Sequence, residues 1–301
     1  MSKQLPNIFK SNFFNKIELV NGVWSVRDLD DYCENFHLQW KTFAKTQFDS
    51  YTGLSLTYDR FKKNTLWKES EMKGKKILEI GSGAGRFTEI FKKMDIYLTT
   101  CDLSKSIFVN KENNESDKIN FVRCSVEELP FKKNYFDYIF CYGVLQHCKD
   151  EKSLFKNILK LLKKGGRLSL DWYKKYYFPY SSVTTKYLFR PITTRLSPEK
   201  LLKIINFYVP KWIKIDTFIK KLPYGTLISG FIPVCCYNYF YLDLNDKEKL
   251  KWSIMDTFDA LGAKYDKPIN SKELNILAKE NKPTNFKIHQ GSNGWVLNLK
   301  K

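Results

Sequence analysis

Between Lys75 and Tyr173 the chain alternates two hydrophobic periods. KKILEI (75–80), IYLTTCD (96–102), INFVRCS (119–125), FDYIFCYGV (136–144) and RLSLDWY (167–173) are short, nearly continuous apolar runs, the pattern of strands buried on both faces. Between them, GRFTEIFKKM (85–94), SKSIFVNKEN (104–113) and EKSLFKNILKLLK (151–163) place apolar residues at helical spacing. Ser104 stands where an N-cap is expected, and Gly165–Gly166 where a C-cap is. This alternation predicts an α/β domain with a parallel sheet covered by helices. The rhythm breaks over 174–268, a stretch rich in aromatics and lysine with prolines from Pro179 to Pro268, where short helices such as 198–209 and 246–261 are predicted. Helical spacing returns at 271–281 and strand patterning at 286–291 and 295–300. The expected organisation is an extension over 1–70, a core over 71–173, an insertion over 174–268, and the last helix and strands of the core over 269–301.

The 301 residues are enough to bury a substantial core. No apolar run followed by a cleavage site opens the chain, and a cytoplasmic location is expected. The longest apolar stretch, 222–242, approaches the length of a bilayer crossing, but Pro223, Gly225, Gly230, Pro233 and Asn238 interrupt it, so it reads as a buried or groove-lining segment. Seven cysteines form no CxxC pair and only three histidines are present, so no metal site is expected. The net charge of +19 invites a nucleic-acid partner, yet only seven of the 51 basic residues are arginine, the residue favoured for base and phosphate recognition. Nucleic acid is therefore disfavoured, while peripheral contact with an anionic membrane surface stays open. Oligomeric state is not legible.

Chemistry concentrates in ILEIGSGAGRF (77–87). A strand, a glycine turn (Gly81, Ser82, Gly83, Gly85) and a helix start bring backbone N–H groups together at a polar or anionic ligand. The dinucleotide pattern GxGxxG needs a third glycine where this chain has Arg86, which argues against NAD. Asp102 ends the second strand, about 20 residues after the first glycine, where a carboxylate accepts hydrogen bonds from both ribose hydroxyls; an Asp in that place also caps helices.

Together ILEIGSGAGRF, CDLS, SVEELPF, FDYIFCYGVLQHC and LLKKGGRLSLDWY, in that order and spacing, resemble class I S-adenosylmethionine-dependent methyltransferases, particularly the ubiquinone/menaquinone and small-molecule type. The flanks ENFHLQWKTFAKTQFDS and MDTFDALGAKYDKP resemble a bacterial group associated with surface-polysaccharide and sugar modification. The resemblance implies a Rossmann-like, mostly parallel seven-stranded sheet with an antiparallel last strand and a helical insertion after the fifth strand. It implies S-adenosylmethionine as cofactor, with Glu79, Gly81, Ser82, Gly83 and Gly85 around its methionine portion, Asp102 at the ribose and Leu103 beside the adenine. The third strand of the family commonly ends in an Asp; here Ser125, Val126 and Glu127 follow instead, and Ser125 and Val126 take the adenine contact. Cys141 lines the cofactor pocket, and Gln146 orients acceptor or cofactor. The extension 1–70, with Gln39, Trp40 and Arg60, folds over the cofactor, and 174–268 forms a substrate cap.

An activated sulfonium requires mainly that the acceptor be aligned and water excluded. A hydroxyl acceptor benefits from proton removal, and His147, just past the fourth strand, is the candidate base; its plain alternative is a structural histidine. Asp171 and Tyr173, at the end of the fifth strand, are a candidate catalytic and a candidate substrate-binding residue, against packing or capping roles. Asp256 and Asp259, three apart on one helix, are candidates for holding a hydroxylated substrate, or a solvated face. The expected activity is methyl transfer to an oxygen of a small-molecule or glycan-linked acceptor. The alternatives are a lipid-linked or quinone-like acceptor and, from another class, an RNA-binding or non-catalytic cofactor-binding partner protein.

Overall fold

The computed structural model describes residues 4–176 and 182–301; residues 1–3 and 177–181, Pro179 among them, lie outside the described residues. The chain divides into two compact units, one of residues 1–32, 55–175 and 265–301, the other of residues 33–54 and 176–264.

The first unit is built on a nine-stranded sheet. Its strands are β1 (Ile17–Val20), β2 (Val23–Val26), β3 (Lys76–Ile80), β4 (Tyr97–Asp102), β5 (Ile119–Arg123), β6 (Phe136–Cys141), β7 (Leu162–Tyr173), β8 (Asn285–Gln290) and β9 (Gly294–Lys300), in the order β1-β2-β5-β4-β3-β6-β7-β9-β8. From β5 to β7 all neighbours run parallel, and β9 is antiparallel to both β7 and β8. The seven strands β3–β9 are the Rossmann-like class I methyltransferase sheet that the motifs implied. The N-terminal hairpin β1–β2 extends it by two strands, with Trp24 and Ser25 of β2 in parallel register with Val122 and Arg123 of β5. Residues 1–70 are therefore not one separate body. Their ends belong to the sheet unit, and 33–54 groups with the helices of the second unit.

Strand alternation explains the two cores. Leu78, Ile80, Val122, Ile139, Cys141, Leu168 and Leu170 point to one face and meet Leu154, Phe155, Ile158 and Leu161 of the Glu151–Leu161 helix and Leu274 and Leu277 of the Ser271–Glu280 helix. Ile77, Phe121, Tyr138 and Phe140 point to the other and meet Phe87, Ile90 and Phe91 of the Arg86–Lys92 helix. Phe61, from the Leu56–Thr65 helix of the lead-in, is fully buried in this second core, edge-on to Phe91 at 5.4 Å.

Several local expectations shift. The helix after Asp102 begins at Ser106 with Lys105 as N-cap, because the Ser104 hydroxyl turns back to Asp102. Gly165, at φ +76°, lies inside β7 and not at a helix end, because the preceding helix passes straight into the strand at Leu162.

The second unit is helical. Its Pro198–Lys221 helix starts with Pro198 after Ser197, whose side chain accepts from the Lys200 N–H. It runs well beyond 209, through Pro210, because 211–221 keeps the helical period and Asp216, buried on the inner face, is held by Lys220 at 2.7 Å and Asn238 at 2.7 Å. The Asp246–Gly262 helix is capped by Asn245, which accepts from the Glu248 N–H at 2.9 Å, and its C-terminal carbonyls at Ala260 and Ala263 are taken by Arg190. Stretch 222–242 is not uniformly buried. Cys235 and Cys236 are, with burial pushing both thiols up to about 12, but Leu222, Tyr224, Leu227, Ile228 and Phe231, in and before the short Gly225–Phe231 helix, stand exposed. Among the described residues no helix is long and apolar enough to cross a membrane.

Candidate functional site

The order of the sheet reverses between β3 and β6, and open α/β sheets bind ligands at such a switch point, beyond the strand ends. Two turns leave the sheet there. The first, after β3, is the glycine turn. Its backbone is anchored to the next strand by the Gly81 and Ser82 N–H groups, which both donate to the Cys101 carbonyl at 2.8 and 3.2 Å. Gly81 has φ +71°, and a Cβ on it would sit 2.1 Å from Val144 of the second turn, so only glycine lets the two turns close on each other. Gly85 has φ +92°, and a Cβ there would strike the side chains of Asn110 at 2.0 Å and Asn114 at 2.4 Å.

Those asparagines belong to a dry polar network beneath the turn. Asn114 donates to the Gly85 carbonyl and to Asn110 Oδ1, both at 2.9 Å; Asn110 donates to Thr88 Oγ1 at 2.9 Å and Thr100 Oγ1 at 3.3 Å. Thr88 in turn donates to Glu79 Oε2 at 2.6 Å. Burial pushes the Glu79 carboxyl up to about 7; hydrogen bonds from Thr88 and Thr100 oppose the rise and the Asp102 charge adds to it. Glu79 thus props the turn from inside the sheet. Thr88, Thr100, Asn110 and Asn114 were not among the residues picked out from the sequence; the signal was a pair of asparagines one helical turn apart on the buried side of a helix.

Asp102 is partly buried at the end of β4. Its Oδ2 accepts from the Gly83 N–H at 2.8 Å, and its Oδ1 accepts from both the backbone N–H and the hydroxyl of Ser104 at 2.8 Å. Burial raises its carboxyl above the usual range, against the pull of those bonds. Leu103 and Val126 are buried, and the Leu103 carbonyl accepts from Arg123 Nε at 3.2 Å. Ser125 Oγ accepts from the Glu127 N–H at 3.1 Å. Cys141 is fully buried and pairs in register with Ile80, so burial lifts its thiol well above its ordinary value and keeps it protonated.

The second turn, after β6, is fixed by Asp171. This fully buried carboxylate accepts from the Gly143 N–H through Oδ1 at 2.5 Å and pairs through Oδ2 with Arg60 at 2.5 Å. Arg60 lies over the rings of Phe87 and Tyr142, at 5.6 and 5.7 Å. With both oxygens committed, Asp171 is arranged to hold the turn and the guanidinium. His147 ends the turn, nearly buried, with Nδ1 2.8 Å from the Tyr265 carbonyl and its ring edge-on to Tyr173 at 5.4 Å. A carbonyl only accepts, so Nδ1 carries the proton, and in the neutral ring the lone pair belongs to Nε2. The adjacent segment reinforces this: the Lys267 N–H donates to the Gln146 carbonyl at 2.9 Å, and the Lys267 carbonyl accepts from Trp172 Nε1 at 2.8 Å.

Two polar groups on these turns are buried without a protein partner: Ser82 Oγ and both amide atoms of Gln146, whose side chain is 0% exposed. Unpaired polar atoms are costly in a dry interior, so a polar ligand fits between turns that carry them. Asp256 and Asp259 lie elsewhere, in the helical unit, where Asp256 accepts from the Tyr239 hydroxyl. The structure therefore gathers the glycine turn, Asp102, Gln146, His147, Asp171 and Tyr173 in one unit and leaves these two aspartates in the other.

The family model described as "Methyltransferase domain" matches residues 78–170. The matched stretch runs from β3 into β7 and includes both turns. The ubiquinone biosynthesis O-methyltransferase of Coxiella burnetii is 31% identical over 123 residues, 39% of this chain and 53% of that protein. The ubiquinone/menaquinone biosynthesis C-methyltransferase of Vibrio parahaemolyticus is 29% identical over 125 residues, 38% of this chain and 48% of that protein. The chain spans about half the length of the curated relatives it matches. Among solved structures, 1,6-didemethyltoxoflavin-N1-methyltransferase of Burkholderia thailandensis is 14% identical over 90% of this chain and 88% of that one, with a TM-score of 0.46, a likeness too loose to carry an assignment.

Proposed function

We propose that this protein transfers a methyl group from S-adenosylmethionine to a hydroxyl oxygen of a small, quinone-like or lipid-linked acceptor. The observation that carries the reading is the pair of turns at the switch point. One is fixed around Gly81–Gly85 and Asp102; the other presents His147 in the tautomer a base requires. Bound cofactor supplies an activated methyl on a sulfonium. The residues of the chain bind and orient it. Asp102 accepts from the ribose hydroxyls, Gly81, Ser82, Gly83 and Gly85 surround the methionine portion above the Glu79 prop, and Leu103, Ser125 and Val126 frame the adenine. Cys141 closes the floor as a neutral thiol.

His147 Nε2 takes the acceptor proton, and the Tyr265 carbonyl stabilises the positive ring by receiving the Nδ1 proton in a hydrogen bond. Asp171 acts as a positioning residue through Gly143 and Arg60, and Tyr173 bounds the acceptor beside His147. The family match ends at residue 170, and beyond it in the same unit Tyr173 stands against His147, so acceptor choice is assigned to residues outside the matched stretch, beginning with Tyr173. The relatives named above act, by name, in quinone biosynthesis, which favours the quinone-like acceptor over the glycan-linked one expected from the flanks. Incubating the protein with methyl-labelled S-adenosylmethionine and a panel of ring-hydroxylated quinol precursors, nucleotide sugars and RNA tests this. Label in a quinol oxygen is the expected result; label in a sugar or in RNA, with none in any quinol, overturns the acceptor class.

A further inference from the structure

The Pro198–Lys221 helix is apolar on two sides, and folding uses one. Leu201, Ile205 and Val209 are buried within the helical unit. On the opposite side Ile204, Phe207, Ile215 and Phe218, with Leu222 just beyond the helix, recur at near-whole turns and stand in solvent, Phe207 69% and Phe218 66% exposed. The Gly225–Phe231 helix, which packs on the same helix, adds exposed Leu227, Ile228 and Phe231, and Tyr224 before it is 83% exposed. A contiguous exposed apolar surface of this kind marks a contact surface.

Its charge identifies the occupant. Lys203, Lys214 and Lys221 lie along one flank of the stripe, and Lys211 sits within it, its ammonium 3.7 Å from the centre of the Phe207 ring. Of the two acidic residues of the helix, Glu199 is in its first turn and Asp216 is buried and paired with Lys220. A self-complementary contact between two copies would set these lysines against each other in a chain of net charge +19, so a second copy is the poorer fit. An aromatic and aliphatic stripe bordered by lysines, on a helix too polar to span, is the pattern of a helix lying in a membrane interface.

We propose that this face of the helical unit rests on an anionic lipid surface, with Phe207 and Phe218 among the headgroups and Lys203, Lys214 and Lys221 over lipid phosphates. This goes beyond the proposed methyl transfer and does not depend on it, because lipid binding requires neither cofactor nor acceptor.

Co-sedimentation of the full chain with phosphatidylcholine vesicles, with and without about one third phosphatidylglycerol, is the test. Binding to the anionic vesicles that weakens as salt rises is expected. K203Q/K214Q/K221Q lowers that affinity by about a hundredfold, at roughly fivefold per lysine, and F207S/F218S lowers it more than about tenfold. Both variants change exposed side chains and keep the wild-type melting temperature, which shows that they fold. The proposal is overturned if wild type and both variants bind anionic vesicles equally, or if wild type does not sediment with them. It is equally overturned if wild type is a dimer that F207S/F218S converts to monomer without any lipid binding.

Discussion

Beneath the glycine turn, Glu79, Thr88, Thr100, Asn110 and Asn114 satisfy one another in a dry interior, whereas on the outer side of the Pro198–Lys221 helix Phe207 and Phe218 stand in water beside lysines. The two regions invert the usual rule, with polar groups inside and large apolar groups outside. In the first, burial is tolerated because nearly every donor finds an acceptor, and the network fixes the backbone that meets a ligand. In the second, the apolar groups stand outside the buried core, which is why the proposal assigns them to a lipid surface. Departures from simple patterning therefore point to function in both places, by opposite physics.

The largest test of this contrast is Asp102→Ala. It removes a carboxylate fixed by three protein hydrogen bonds and assigned to the cofactor ribose, and should weaken cofactor binding by on the order of a thousandfold. Undiminished affinity in calorimetric titration would remove Asp102 from the site. His147→Gln should leave cofactor affinity intact while slowing transfer to a hydroxyl acceptor by about a hundredfold or more, and wild-type turnover would show the histidine to be structural. Next comes Gly85→Ala, which forces a side chain at φ +92° into Asn110 and Asn114; a stability loss of about 3 kcal/mol in urea denaturation is expected.

The sheet was legible because its strands are apolar on both faces and its turns are marked by glycine, so the core from Lys75 to Tyr173 follows from pattern alone. The positions of Gly81 and Asp102 were legible for the same reason, since Gly81 directly follows β3 and Asp102 ends β4, while His147 lies further on, at the end of the turn after β6. Asn110 and Thr100 were not, because their meaning lies in a partner that only the fold brings near. The N-terminal hairpin escaped notice because β1 exposes three of its four residues and carries no strong alternation. The length of the 198–221 helix was hidden by Pro210, which local rules read as a stop and which buried contacts on both sides override.

A gentler probe is pH. The Glu79 carboxyl is held at about 7 in the folded protein, above its ordinary value, so between about 4.5 and 7 the unfolded chain has lost this proton while the folded one keeps it. Stability should fall as pH rises through that window, by on the order of 3 kcal/mol, and level off above it. Glu79→Gln should flatten this part of the profile in pH-dependent thermal melts; an unchanged profile would mean that the buried carboxyl is not the source. The smallest effect belongs to the helical unit. Phe207→Ser should change stability by less than about 0.5 kcal/mol, against about 3 kcal/mol for Ile205→Ala on the opposite side of the same helix. Equal costs would show that Phe207 is part of the fold after all.

The most direct test of the account is calorimetric titration of the purified protein with S-adenosylmethionine, S-adenosylhomocysteine and NAD in parallel. The two turns at the β3–β6 switch point predict saturable binding of the first two and none of NAD. Binding of NAD, or no binding of either sulfur compound, would contradict it.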